Sequence, residues 1–115
     1  MPLLRITTNQ ATKPETKTQI LKTLSTEVAT LLGKPENYVM TAWLPETIMT
    51  FGGQIKPTAY VELDSIGLIP EQAKQLSQTI CTVIADHTDI EPSATYIKFY
   101  DAPRALWGWD SGTFG

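Results

Sequence analysis

The sequence predicts an α+β fold in which two βαβ repeats form a four-stranded sheet with two helices on one face. The order strand–helix–strand occurs twice, in about residues 1–57 and 58–115, with little residue identity between the halves. The length of 115 residues suits a single domain and is too short for two ordinary ones. The strands alternate apolar and polar residues, so the sheet should have one core face and one open face.

The first repeat begins with a predicted strand over residues 2–7 and continues into a helix over 14–32. Thr12 and Glu15 have the spacing of a capping box at the start of this helix, and Gly33 lies just past its end. The apolar face of the helix repeats at intervals of three to four residues and consists of Ile20, Leu21, Leu24, Val28, Leu31 and Leu32.

Residues 38–44 form the second predicted strand, and the loop after it is expected to contain a short edge strand at 48–50. The second repeat has a strand over 58–66, a helix over 70–88 and a strand over 95–100. The apolar face of the second helix is predicted to consist of Ala73, Leu76, Ile80, Val83, Ile84 and His87. Each βαβ unit should cross over in the right-handed sense.

One face of the predicted sheet is neither an apolar core nor an ordinary hydrated surface. It is expected to carry Arg5, Thr7, Thr41, Trp43, Tyr60, Glu62, Asp64, Tyr96, Lys98 and Tyr100. Exposed Trp and Tyr residues in such number are typical of an interface. The tail over 106–115 is rich in glycine and aromatic residues, which so small a domain cannot easily cover. Both features predict oligomerisation, most simply with cyclic symmetry.

Composition excludes several classes of function. The formal net charge is -3 and no run of Lys or Arg occurs, so nucleic-acid binding has no electrostatic support. The one cysteine, Cys81, cannot form an intrachain disulfide and is interpreted as a small core residue. The one histidine, His87, is interpreted as packing or complementing a helix end, so no metal site is predicted. No membrane-spanning or signal segment is evident, which predicts a cytoplasmic protein and leaves secretion by another route open.

The N-terminal dipeptide Met1-Pro2 is where chemistry is expected. Met is removed before small second residues, and removal would leave Pro2 with a free secondary amine. A terminal amine titrates at about 7.7–8.0 in model peptides, and burial beside apolar residues lowers its pKa toward the range where a base works best. The dipeptide alone is more often without catalytic meaning, so the rest of the chain has to supply a site around it.

The other candidate polar residues each have an ordinary structural explanation. Lys34 follows Gly33 and would complement the dipole at a helix C-terminus. Glu62 and Asp64 share one strand face and are interpreted as ion-pair partners of Arg5 or Lys98 across a subunit interface. Spacing alone therefore identifies no catalytic set.

Several short stretches in sequence order carry a resemblance to a known family. They are Met1-Pro2, Thr8-Asn9, Gly33-Lys34-Pro35, Tyr38, Met49 with Phe51-Gly52-Gly53, Ser65-Ile66-Gly67, Tyr96-Ile97 with Phe99-Tyr100-Asp101, and Gly108-Trp109 with Thr113-Phe114. Together they resemble the macrophage migration inhibitory factor (MIF) family of the tautomerase superfamily. The resemblance implies a homotrimer whose sheets enclose a central barrel, with an active site at each subunit interface and a tail that packs on a neighbouring subunit. It also implies cofactor-independent keto–enol tautomerisation of an aromatic 2-oxo acid such as phenylpyruvate.

The resemblance assigns roles to individual residues. Pro2 would be the general base, Lys34 would bind the substrate carboxylate, and Ile66, next to Ser65, would contact substrate through its backbone N–H. Tyr96 would come from the adjacent subunit. The residues that would line the aromatic slot are Leu3, Tyr38, Trp107, Trp109 and Phe114.

Three features depart from the family's pattern, and alternatives to the tautomerase interpretation stay open. Lys98 replaces an Asn, which adds a cation for anionic substrates and removes a contact to substrate hydroxyls. Trp107 replaces a Val and should narrow the pocket mouth. A CxxC motif is absent at 58–61, so thiol-oxidoreductase activity is not expected. The alternatives are a receptor-binding, cytokine-like ligand and a superfamily relative that acts on halogenated or dienoic acids.

Overall fold

The computed structural model describes residues 1–115 and contains two helices, four main strands and a small C-terminal hairpin. The elements in chain order are β1 (Leu3–Thr8), α1 (Pro14–Leu32), β2 (Met40–Trp43), β3 (Ala59–Ser65), α2 (Pro70–His87), β4 (Thr95–Asp101), β5 (Gly108–Trp109) and β6 (Gly112–Thr113). Short 3-10 turns occur at Glu36–Tyr38, Pro92–Ala94 and Arg104–Leu106. Neither helix has the length and hydropathy that crossing a bilayer requires.

The main sheet has the strand order β2-β1-β3-β4. Strand β1 runs parallel to β2, β3 runs parallel to β4, and the two central strands β1 and β3 are antiparallel. The predicted α+β class with two βαβ units and a four-stranded sheet is confirmed. The hairpin of β5 and β6, which forms a separate two-stranded sheet, was not predicted.

Both helices lie on one face of the sheet and enclose a single apolar core. The central strands alternate buried and half-buried residues along their length, as a sheet with one covered face requires. The fully buried core side chains include Leu4, Ile6, Ile20, Leu24, Val28, Val61, Leu63, Leu76, Ile80 and Ile84. Burying each such side chain contributes about 1.5–3 kcal/mol to the stability of the fold, relative to leaving it exposed. The core therefore stabilises the sheet whose other face is open.

The face assignment of β2 was wrong by one residue. Thr41 and Trp43 were predicted on the open face, but they pair with Leu4 and Ile6 in the parallel register and share the core face. Trp43 packs against the core cluster, and Met40 is the β2 residue left 65% exposed. The alternation of β1 sets the register, because a shift of one residue would move its apolar set to the open face.

Several local predictions at element ends also need correction. The N-cap of α1 is Lys13, without a side-chain cap, so the proposed Thr12–Glu15 capping box does not form. No edge strand occurs at 48–50; the loop contains only an isolated bridge between Phe51 and Gln54. Gly33 has the left-handed conformation predicted for it, with φ of 63°.

Two residues predicted on the apolar side of α2 are more exposed than expected. His87 is exposed, and its Nδ1 lies 2.8 Å from the Val83 carbonyl within the same helix. Cys81 is half-buried and lies outside the core cluster. Both residues lie at the border of the apolar stripe, where helical periodicity alone does not determine burial.

Candidate active site

Pro2 is buried at the start of β1, where the sheet begins. Its carbonyl accepts a hydrogen bond from the Met40 N–H at 3.0 Å, which ties it to the neighbouring parallel strand β2. With Met1 attached, the Pro2 nitrogen is an amide and has no basic lone pair. The free amine belongs to Met1 and donates to the Tyr38 carbonyl at 3.3 Å.

A cavity of about 540 Å³ opens around this N-terminus. Fourteen residues line it, ten of them hydrophobic: Met1, Pro2, Leu3, Asn37, Tyr38, Val39, Met40, Asp64, Ala102, Leu106, Trp107, Gly108, Trp109 and Phe114. This volume and a mainly apolar wall with few polar groups are typical of small-molecule sites. The cavity can therefore hold an aromatic ligand beside the chain terminus.

Three aromatic rings form one wall of the cavity. Trp109 and Phe114 stack with ring centroids 5.6 Å apart and an interplanar angle of 10°. Tyr38 meets both rings edge-on, at 5.3 and 6.1 Å. These are favourable aromatic geometries and bring the tail onto Tyr38 of the same chain.

The C-terminal hairpin positions these rings. Asp110 and Ser111 take up the left-handed conformation at its turn, with φ of 49° and 66°. The Phe114 N–H donates to the Trp107 carbonyl at 3.2 Å, and the Arg104 Nε donates to the Phe114 carbonyl at 3.2 Å. The chain end is thus held over the cavity.

Lys34 directly follows Gly33, the left-handed residue that ends α1. The half-buried Lys34 Nζ donates to the Ile66 carbonyl at 3.0 Å. Burial is the main cause that lowers the pKa of the Met1 amine, and the positive charge of Lys34 lowers it further. A terminal amine at this position is therefore biased toward its neutral, basic form.

Strand β3 ends in a turn at residues 66–67, and Lys34 contacts this turn through the Ile66 carbonyl. Ser65 is fully buried and its hydroxyl has no hydrogen-bond partner. The Gly67 and Leu68 N–H groups donate to the Asp101 Oδ1 at 2.8 and 3.2 Å. No backbone or side-chain acceptor within the chain takes the Ile66 N–H, and Ile66 itself is buried.

A charged cluster lies on the open face next to the cavity. The Arg5 Nη2 is 3.3 Å from the Glu62 Oε2 and 3.8 Å from the Asp64 Oδ2. These acids were predicted to pair across a subunit interface, but they pair with Arg5 of the same chain, because Arg5 and Glu62 are cross-strand partners on β1 and β3. Asp64 also lines the cavity, which the sequence interpretation missed.

The structure brings together some of the predicted site residues and leaves others apart. Those lining the cavity are Pro2, Leu3, Tyr38, Trp107, Trp109 and Phe114. Lys34, Ser65 and Ile66 do not line the cavity, and Lys34 contacts the turn after β3 through the Ile66 carbonyl. Tyr96 and Lys98 are exposed on edge strand β4 and do not line the cavity; Tyr96 packs on Phe51 at 5.0 Å, and the Lys98 Nζ lies 5.0 Å from the Tyr100 ring centroid.

The lining residues that sequence reasoning missed are Asn37, Val39, Met40, Asp64, Ala102 and Leu106. Met40 and Asp64 are the strand partners of Leu3, so the register around Leu3 would have found both. No group of three or more His, Cys, Asp or Glu side chains is arranged to hold a metal ion.

Comparison with known proteins gives a consistent family assignment. The family model described as "Macrophage migration inhibitory factor (MIF)" matches residues 1–115. The macrophage migration inhibitory factor of Rattus norvegicus is 35% identical over 117 residues, covering 99% of each chain. A homologue from Prochlorococcus marinus has 39% identity and a TM-score of 0.92, covering 98% of this chain and 99% of that one. The Toxoplasma gondii protein has 26% identity and a TM-score of 0.94, covering 97% and 99%. The family expected from the sequence motifs is confirmed.

Proposed function

Because the chain belongs to the macrophage migration inhibitory factor family, we propose that it is a cofactor-independent keto–enol tautomerase with the Pro2 amine as general base. The preferred substrate is an aromatic 2-oxo acid of the phenylpyruvate type. One observation carries the proposal: the buried Pro2 lies in a mainly apolar cavity, with the cation Lys34 beside the chain terminus.

The reaction requires a base that is neutral near pH 7. Removal of Met1 converts the Pro2 amide nitrogen into a secondary amine in the same cavity. Burial and the charge of Lys34 already lower the pKa of the Met1 amine, and Pro2 is the more buried residue. The Pro2 amine takes a proton from the carbon next to the substrate carbonyl and returns it to the carbonyl oxygen, which gives the enol.

Lys34 is the proposed partner of the substrate carboxylate. None of the acidic side chains lies within ion-pair distance of it, so its charge remains available to an anion. The Ile66 N–H, which has no acceptor within the chain, is the proposed second donor. A fixed cation and N–H in a mainly apolar site stabilise the negative charge that develops on an enolate oxygen.

The remaining predicted contacts require a second subunit, so the proposal includes a homotrimer. The open sheet face exposes Tyr96 at 67%, Met40 at 65% and Tyr100 at 43%, and apolar exposure of this extent favours an interface. In the trimer, Tyr96 and Lys98 of a neighbouring subunit would complete the site. We also propose that residues 1–115 form one domain with pseudo-repeats at about 1–57 and 58–115.

The test compares enolisation of phenylpyruvate by the Met1-free protein and by Pro2→Gly. The variant keeps a primary amine but loses the rigid secondary one, so kcat/KM should fall by about 10²-fold or more while the oligomeric state is unchanged. Pro57→Gly, in the loop before β3, is the matched control and should retain activity. Full activity in Pro2→Gly would show that the base is elsewhere.

A second candidate is a cytokine-like, receptor-binding ligand whose tautomerase site is vestigial, which is favoured by the names of the vertebrate relatives. Macrophage migration measured with the natural protein and with Pro2→Gly separates the two functions. Inhibition that survives loss of the amine supports the ligand. This candidate requires secretion, whereas the tautomerase is proposed to act in the cytoplasm.

Rates on halogenated and dienoic acids provide a further comparison. Lys98, which lies close to a phenol ring, adds a cation that would favour such anionic substrates if it reaches a neighbouring site. Faster turnover of these acids than of phenylpyruvate would show that aromatic 2-oxo acids are not the preferred substrates. The Pro2 mechanism itself would not be affected.

A further inference from the structure

The cluster of Arg5, Glu62 and Asp64 has no role in the mechanism above. One guanidinium lies within 3.8 Å of two carboxylates, so the cluster has one positive and two negative charges. The three side chains are 37%, 23% and 25% exposed, so solvent screens them only in part. The cluster therefore places a net negative charge on the open face next to the cavity.

Asp64 differs from Glu62 because it reaches the cavity wall. It is the only charged side chain among the fourteen lining residues. Its Oδ1 is buried without a hydrogen-bond partner, as is the Arg5 Nε. A carboxylate oxygen withheld from water is unfavourable unless a positive group or a donor compensates it.

The strand register relates Asp64 to the N-terminus. The Cα of Asp64 is paired with the Cα of Leu3 across β1 and β3, and Pro2 directly precedes Leu3. While Met1 is attached, the amine lies against the Tyr38 carbonyl, and Lys34 is the charge that acts on it. Removal of Met1 moves the amine one residue toward the Leu3–Asp64 pair.

We propose that Asp64 and Arg5 are positioning residues for the Pro2 amine: Asp64 supplies a negative charge to the cavity wall, and Arg5 sets how much of it the amine experiences. The proposal rests on the role of Pro2 as the base. A nearby carboxylate favours the ammonium form, so Asp64 opposes burial and Lys34, which favour the neutral form. The balance keeps the pKa of the amine close to neutral pH, where a general base is most effective.

Other ionisable groups surround the same cavity and define the background for this effect. They are Lys34 after α1, Arg5 on β1, Glu62 and Asp64 on β3, Asp101 at the end of β4, and Tyr38, Arg104 and Asp110 in the flanking segments, whereas β2 has none. Asp101 is engaged by two backbone N–H groups and Arg104 by a carbonyl. Of the acids, only Asp64 lines the cavity.

The test is an NMR titration of the Pro2 amine in Met1-free protein labelled at proline, without substrate. Asp64→Asn should lower the amine pKa by on the order of half to one pH unit, because it removes the opposing charge. Arg5→Met should raise it by a similar amount. Glu62→Gln is the matched control: it shares Arg5 but does not line the cavity, and it should cause a smaller shift.

Two further variants separate electrostatics from a change in structure. Asp64→Glu keeps the charge and should titrate like the natural protein. The shift caused by Arg5→Met should shrink in the Asp64→Asn background if Arg5 acts through Asp64. The acid limb of the kcat/KM profile should move with the amine pKa in each variant.

An unchanged titration in Asp64→Asn would overturn the proposal, as would shifts of the same sign in Asp64→Asn and Arg5→Met. Because the titration uses no substrate, its outcome is distinct from that of the proposed function. A natural protein that does not enolise phenylpyruvate would overturn the tautomerase assignment and leave the titration result intact.

Discussion

The two ends of strand β1 are built differently. At its C-terminal end, the Asn9 side chain donates to the Lys56 carbonyl at 2.8 Å and accepts from the Thr58 N–H at 3.0 Å. The adjacent Thr8 hydroxyl donates to the Thr58 carbonyl at 2.6 Å and accepts from the Gln10 N–H at 3.1 Å. These contacts fasten the long β2–β3 loop to the sheet. Polar groups at this end are satisfied by the chain itself.

At the N-terminal end of β1, the chain leaves polar groups without partners next to a cavity. The Ser65 hydroxyl, the Asp64 Oδ1 and the Arg5 Nε are buried and make no hydrogen bond. Proteins rarely tolerate such atoms unless a site uses them. Substitutions at the N-terminal end should therefore change activity more than stability, and those at the C-terminal end should do the reverse.

The largest effect that tests this contrast is expected from Lys34→Met. In the proposed mechanism Lys34 both binds the substrate carboxylate and stabilises the enolate, so kcat/KM on phenylpyruvate should fall by about 10²–10³-fold. Steady-state kinetics measure this, with Lys22→Met on the exposed face of α1 as the matched control. A loss below threefold would mean that Lys34 only complements the end of α1.

A stability effect is expected from Asn9→Ala at the opposite end. The variant leaves the Thr58 N–H and the Lys56 carbonyl without their partner, which should lower the free energy of unfolding by about 1–3 kcal/mol. Urea denaturation measures this, with exposed Gln19→Ala as the control. Activity well below the melting temperature should stay within about twofold of the natural protein, since Asn9 does not line the cavity. A large loss of activity with unchanged stability would contradict the proposed difference between the two ends of β1.

The smallest effect is a dependence of stability on pH in protein that retains Met1. Burial and then Lys34 lower the pKa of its amine in the folded state, so the unfolded chain binds more protons. Stability should be at its full value above the unfolded pKa of about 7.7–8.0 and should fall as pH drops through the folded value. Urea midpoints between pH 6 and 9, compared with those of Nα-acetylated protein, isolate this contribution. If the urea midpoints of the two proteins depended on pH in the same way, the lowered pKa of the Met1 amine would be contradicted.

The sequence predicted most of the fold because the central strands have a clear alternation. Leu4 and Ile6 on β1, and Val61 and Leu63 on β3, are all fully buried, as their spacing requires. The prediction of which β2 residues face the core was wrong, because the four residues MTAW place a large side chain on each face. The residue pattern therefore does not determine which face is buried. The β5–β6 hairpin was missed because strands of two residues have no periodicity.

The site was harder to predict because it depends on contacts between distant parts of the chain. Pro2 and the aromatic tail were recognised from motifs, and the cavity brings them together. Asp64 was not recognised as a cavity residue, because its position follows from the register between β1 and β3. The proposed roles of Tyr96 and Lys98 depend on a second subunit. The spacing of residues along one chain does not determine how subunits pack.

The Pro2 amine, freed from Met1, is the proposed base. The most direct test measures phenylpyruvate enolisation by two preparations of the same chain, one with Met1 removed and one with Met1 retained, each verified by intact mass. The two share the same sheet and aromatic wall and differ at the amine. We predict that the Met1-free protein is active and that the Met1-retaining protein is slower by at least about 10²-fold. Equal rates would show that the base is elsewhere, because the Pro2 amide of the Met1-retaining protein has no basic lone pair.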